Sequence, residues 1–185
     1  MPGLLNGKRV LIITTNIGIE RDELVKPLEY LRAQGAEVVH AAIEQAPVQT
    51  FVSDTEKDIV VTPDVDFSAL SAGNFDALVI PGGTVNADNL RVNETAIALA
   101  KGFAQSGKPI AAICHGPWLL VDADLLPGKT LTSYDTVRTD ILNAGGEWVD
   151  EPVVKSTKNG WTLITSRNPG DLDAFSQAIA EALKS

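Results

Sequence analysis

From Arg9 to Thr15 the chain reads RVLIITT, in which Val10 to Thr15 are all apolar or β-branched, and this predicts a strand covered on both faces. The period then changes. Between Glu20 and Gln34 the apolar residues Leu24, Val25, Leu28 and Leu31 recur at helical spacing, and Gly35 stops the helix. Residues 36–43 (AEVVHAAI) predict a second strand, and the stretch from Ala46 to Pro63 predicts a hairpin or short irregular strands. A short helix is expected from Phe67 to Leu70, and another buried strand from Phe75 to Pro81, running into Gly82-Gly83. Thr84 to Arg91 reads as the loop after it. Asn93 to Gln105 has helical spacing, ended by Gly107, and Pro109 to Ile113 is a third fully apolar strand. A helix begins within Gly116 to Val121, a short strand covers Thr130 to Thr132, and a helix over Thr136 to Asn143 is closed by Gly145-Gly146. Trp148 to Lys155 and Trp161 to Ser166 read as strands joined by a turn at Lys158-Asn159-Gly160, and Leu172 to Leu183 as a terminal amphipathic helix.

Strands alternating with helices, three of the strands apolar throughout, predict an α/β fold: a doubly wound, mostly parallel sheet sandwiched by helices. No repeat, low-complexity segment or linker divides the chain, so residues 1–185 are expected to form one domain. A doubly wound sheet places its site outside the carboxyl ends of the strands. Three places fall there: Glu20, Gly82-Gly83 and Cys114.

Composition narrows the function classes. At 44% hydrophobic and 21% charged residues the chain has the make-up of a soluble globular protein, and its formal net charge of -9 disfavours a nucleic-acid or anionic membrane surface. No apolar run is of membrane-spanning length. The stretch from Met1 to Arg9 does not read as a secretion signal, so a cytoplasmic protein is expected. One cysteine and two histidines make neither an internal disulfide nor the usual sulfur-and-nitrogen zinc site, and no metal is expected.

The single cysteine, Cys114, is where the chemistry concentrates. A lone cysteine is commonly an inert core residue. Here an apolar strand delivers it to a turn before a helix, and His115-Gly116 follows. Ala112-x-Cys114-x-Gly116 is similar to the G-x-S-x-G nucleophile elbow, and a nearby positive helix end is expected to lower the thiol pKa. Backbone N–H groups at Gly83 and His115 would face the thiol and stabilise an oxyanion. Glu20 has two readings: an ordinary first-turn residue, or a protonated carboxyl beside the sulfur that moves a proton during turnover. His115 is a candidate acid or base whose role depends on geometry, and His40 reads as structural or surface. No G-x-G-x-x-G follows a strand, Gly82-Gly83-Thr84 lacks the P-loop lysine, and no histidine follows His115 to complete an amidotransferase-like triad. No cofactor is expected.

The segments Gly107 to Pro117, Phe75 to Gly83, Leu131 to Tyr134 and Asn143 to Asp150 resemble the ThiJ/PfpI superfamily, and specifically its PfpI branch, over nearly the whole chain. The resemblance implies a flavodoxin-like fold, catalysis by Cys114 and His115, and a glutamate contact to the cysteine at the position of Glu20. It also implies a histidine oriented by an acid from a neighbouring subunit. Asp88 is the nearest acid after Gly82-Gly83, with a different spacing and a shorter side chain than the family's glutamate. Tyr134 would border the pocket, although Asp135-Thr136 replaces the family's Pro-Gly. A homo-oligomer, dimer or higher, is implied. The activities implied divide three ways: a stress-protective enzyme acting on small reactive dicarbonyls or their early protein and nucleotide adducts (glyoxalase III or deglycase type), an intracellular cysteine peptidase acting on unfolded protein, and a peroxide sensor or chaperone without turnover.

Overall fold

The computed structural model describes residues 3–184; Met1 and Pro2, which belong to the N-terminal stretch read for a secretion signal, lie outside the described residues, as does Ser185. The strands are β1 (Arg9–Thr14), β2 (Ile17–Glu20), β3 (Glu37–Ala42), β4 (Val48–Val52), β5 (Glu56–Val61), β6 (Val65–Asp66), β7 (Ala77–Ile80), β8 (Ile110–Ile113), β9 (Thr130–Leu131), β10 (Glu147–Trp148), β11 (Val154–Ser156) and β12 (Leu163–Ser166). The helices are α1 (Arg21–Ala33), α2 (Thr84–Leu90), α3 (Glu94–Gln105), α4 (Trp118–Asp122), α5 (Arg138–Asn143) and α6 (Leu172–Lys184).

Seven strands form one sheet in the order β11-β12-β8-β7-β1-β3-β6, parallel except for β11, which pairs antiparallel to β12. The chain starts in the middle at β1, moves one way to β3, then returns to the other side for β7 and β8. This is the doubly wound, flavodoxin-like arrangement. Its two faces follow from the alternation of side chains along a strand. Val10, Ile12, Val79, Ala111 and Ile113 face one layer, where α1 and α6 pack together. Leu11, Ile13, Leu78, Ile80 and Ala112 face the other, under α3 and α4. Among the described residues no helix is long and apolar enough to cross a membrane.

Three elements depart from the sequence reading. Thr84 to Leu90 is a helix rather than a loop, Ile17–Glu20 is a separate strand that pairs with β4, and Trp148 to Lys155, expected as one strand, is divided between β10, which pairs with β9, and β11, which pairs with β12. The second departure matters to the site, because it places the β4–β5 hairpin beside the end of β1.

His40 is structural: it is 1% exposed, its Nε2 lies 2.8 Å from Thr14 Oγ1, and its Nδ1 has no hydrogen-bond partner. Burial lowers its pKa to about 4. The unfolded chain therefore takes up a proton near pH 6.5 that the folded chain refuses, so stability falls as pH drops from there toward 4. The expected loss is about 3 kcal/mol across that window. Urea unfolding at pH 7.5 and 4.5 should show that part of the slope vanish in His40→Gln.

Candidate active site

The carboxyl ends of β1, β7 and β8 meet at the point where the chain reverses direction across the sheet. Cys114 leaves β8 there with φ +62, a left-handed conformation that non-glycine residues rarely adopt. Strain of this kind persists only where its surroundings fix it. Here the Cys114 N–H donates to Ser166 O at 3.0 Å and the Cys114 carbonyl accepts from Tyr134 N–H at 2.8 Å, so both sides of the turn are pinned. The bend turns the sulfur back toward β7. Gly83 stands opposite at φ +85, and a Cβ on it would come within 2.1 Å of the Gly18 carbonyl oxygen. Gly82 is equally confined: a Cβ there would lie 2.6 Å from Glu23 Oε1 and 2.9 Å from Cys114 Cβ.

The carboxyl against the thiol belongs to Glu23, not to Glu20. Glu20 ends β2 in extended backbone, and both its oxygens accept from the Ser53 N–H of the β4–β5 hairpin, at 3.0 and 3.3 Å. Its carboxyl forms part of the pocket wall, and burial raises its pKa. Glu23 lies on the buried stripe of α1 with Leu24, Pro27 and Leu31, and is 0% exposed. Its Oε1 accepts from Gly82 N–H at 3.0 Å, its Oε2 is buried with no hydrogen-bond partner among the described residues, and the carboxyl and the Cys114 side chain flank Gly82 from two sides.

Cys114 is 7% exposed. Burial pushes its thiol well up, the Glu23 charge adds to this, and the backbone N–H groups of His115 and Gly83 pull it down. Glu23 is pushed up by burial and then by the Glu20 charge. Burial resists a negative charge on either group, and two such charges in contact would resist each other further. With Glu23 protonated, a charge on sulfur would face the backbone N–H groups of His115 and Gly83 and the carboxyl O–H. A Glu23 carboxylate would have the Gly82 N–H and the thiol alone. The expected helix-end effect is absent from this balance. Cys114 to Pro117 form a turn, and α4 begins at Trp118 and is five residues long.

His115 is 5% exposed, and its Nδ1 lies 3.2 Å from Cys114 Sγ. The ring stacks on Tyr134 (4.8 Å between centroids, 26° between planes) and meets Trp118 edge-on at 5.1 Å. Its Nε2 lies 3.4 Å from both Thr84 Oγ1 and Thr136 Oγ1. Burial lowers its pKa, and the Asp54 charge opposes that. Asp88 is exposed on α2 and does not line this cavity.

The cavity over the sulfur is small, about 180 Å³, and is walled by Glu20, Glu23, Ser53, Asp54, Gly83, His115, Tyr134 and Pro169. Beyond Tyr134 lies a second cleft of about 330 Å³ that includes Trp148 and Arg167. A larger hollow of about 540 Å³ opens between Arg9 and Glu37, at the amino ends of β1 and β3, with neither cysteine nor histidine in its walls. Glu23 and Asp54 were missed in the sequence reading. Glu23 carried a signal, a carboxylate on an otherwise apolar helical stripe; Asp54 carried none.

The DJ-1/PfpI family pattern matches residues 8–182. Deglycase PfpI of Pyrococcus furiosus is 37% identical over 95% of this chain and 99% of its own length. Putative cysteine protease YraA of Bacillus subtilis is 36% identical over 96% of this chain and 99% of its own length. Among solved structures, a two-domain protein from Anabaena variabilis, containing DJ-1/ThiJ/PfpI-like and ferritin-like domains, superposes with a TM-score of 0.85 at 34% identity. That match covers 95% of this chain and 48% of the two-domain one. Fold, elbow and these relatives agree: the chain belongs to the DJ-1/PfpI family.

Proposed function

We propose that this protein is a cytoplasmic, homo-oligomeric enzyme that converts small reactive dicarbonyls, or their early adducts on amines, by attack of the Cys114 thiolate. The observation that carries the reading is the contact of a strained, almost buried thiol with a fully buried carboxyl in a cavity of about 180 Å³. That volume suits a few heavy atoms better than an extended peptide. The deglycase name of a relative at 37% identity supports the same direction.

With methylglyoxal, the sulfur bonds to the aldehyde carbon and the carbonyl π pair moves to oxygen. Gly83 and His115 N–H groups would stabilise that oxyanion, and Glu23 would give it a proton, forming a hemithioacetal. His115 Nδ1, beside the sulfur, would take the C–H proton, and a proton returned to the neighbouring carbon would leave a lactoyl thioester. Water then releases lactate, the sulfur leaves as thiolate, and Glu23 recovers its proton. The sum is methylglyoxal plus water to lactate, with no outside oxidant.

The Cys114–His115 distance of 3.2 Å favours a second reading, a cysteine peptidase, and a relative carries the name putative cysteine protease. Rigorously purified protein should form lactate from methylglyoxal and leave unfolded casein intact. Casein cleavage without lactate would replace the proposal with the peptidase reading. Neither activity, with mass gain on Cys114 at low peroxide, would replace both with a sensor.

A further inference from the structure

His115 needs a partner for its second nitrogen, and the hairpin between β4 and β5 supplies one indirectly. Ser53 and Asp54, at its tip, both have positive φ (54 and 63). That bend presents the Asp54 carboxylate to the first residue of α2. Oδ1 accepts from Thr84 N–H at 2.9 Å, and Oδ2 accepts from Thr84 Oγ1–H at 2.6 Å.

A hydroxyl has one proton to give. With that proton committed to Asp54, Thr84 Oγ1 has only lone pairs left for His115 Nε2 at 3.4 Å. Two lone pairs facing each other repel, so the contact requires a proton on Nε2. Nε2 is therefore the nitrogen that keeps a proton, and Nδ1, 3.2 Å from Cys114 Sγ, is the one left to exchange protons on the sulfur side. Thr136 Oγ1, also 3.4 Å from Nε2, accepts from the same N–H without changing the assignment.

We infer that Asp54, acting through Thr84, is a positioning residue: it holds a proton on His115 Nε2, within one chain, and so leaves Nδ1 as the nitrogen that exchanges protons beside Cys114. This deepens the proposed thiolate chemistry and its role in turnover rests on that reading; the tautomer itself does not. The charged relay runs Asp54–Thr84–His115–Cys114, with the sequence reading's Asp88 of another subunit outside it.

The test has two readouts. In resting protein carrying 15N-labelled histidine, the His115 ring should report a proton on Nε2. Thr84→Val, which removes the hydroxyl and keeps the backbone N–H bond to Asp54 Oδ1, should shift the population toward the other tautomer, and Thr84→Ser should restore it. Asp54→Asn keeps one acceptor where two donors converge, and should behave like Thr84→Val. Where methylglyoxal turnover is present, kcat should fall about tenfold or more in Thr84→Val and Asp54→Asn, recover in Thr84→Ser, and fall no further in the double variant. An unchanged Nε2–H signal in both Thr84→Val and Asp54→Asn would overturn the inference. So would loss of turnover in Asp88→Asn with none in Asp54→Asn. Absence of turnover in wild type would remove the proposed function and leave the tautomer result to stand or fall alone.

Discussion

Cys114→Ala is expected to abolish methylglyoxal turnover, lowering kcat by about 10⁴-fold or more, to the level of the uncatalysed background. The size follows from what is lost. The remaining residues polarise and exchange protons, and none of them offers a nucleophile in the cavity: Glu20, Glu23 and Asp54 are carboxyls engaged by Ser53, Gly82 and Thr84, and His115 Nδ1 is turned to the sulfur position. The fold should survive. Cys114 contributes little volume to the layer it shares with Ile113 and Ile164, and its pinning bonds to Ser166 and Tyr134 are made by backbone. Lactate assay and urea unfolding on the same preparation separate the two effects.

Glu23→Gln is expected to lower kcat by about 10²- to 10³-fold. Glutamine keeps the size, and its amide can still donate to the sulfur, but it neither gives nor recovers a proton. Stability should move the opposite way. The folded chain holds the Glu23 proton, raised by burial, while the unfolded chain loses it above a pH of about 4.3. Stability is therefore lost as pH rises from there, and Gln, which ionises in neither state, escapes that loss. Glu23→Gln should gain on wild type between pH 5 and pH 8 in thermal unfolding. Glu20→Gln, whose carboxyl meets Ser53 instead of the sulfur, should cost less activity than Glu23→Gln.

These two residues show how far a sequence carries. The sheet was legible because residues 10–13, 77–81 and 109–113 are apolar without a break, a pattern typical of strands covered on both faces. Cys114 was legible for the same reason, standing where such a strand ends. The acid beside it was misassigned by three residues. Position after the first strand pointed to Glu20, but β2 intervenes, and the helical turn that follows brings Glu23 to the core. A carboxylate on the stripe of Leu24 and Leu31 was the anomaly to weigh, because charged side chains are almost never fully buried without a partner. The helix α2 lacked an apolar face long enough to register, with Ala87 and Leu90 its buried apolar residues. Asp54 was beyond reach, since it meets Thr84 thirty residues away only once the hairpin has folded over the end of β1.

The central claim is that Glu23 holds its proton while Cys114 carries the charge. The pH dependence of Cys114 alkylation by iodoacetamide, compared among wild type, Glu23→Gln and Glu23→Leu, tests it most directly. The account predicts that Gln, a neutral donor, leaves the profile close to wild type, and that Leu, which removes the donor, moves alkylation to higher pH. A shift to lower pH in both variants would contradict it, because it would mean that wild-type Glu23 carries the negative charge and holds the neighbouring thiol protonated.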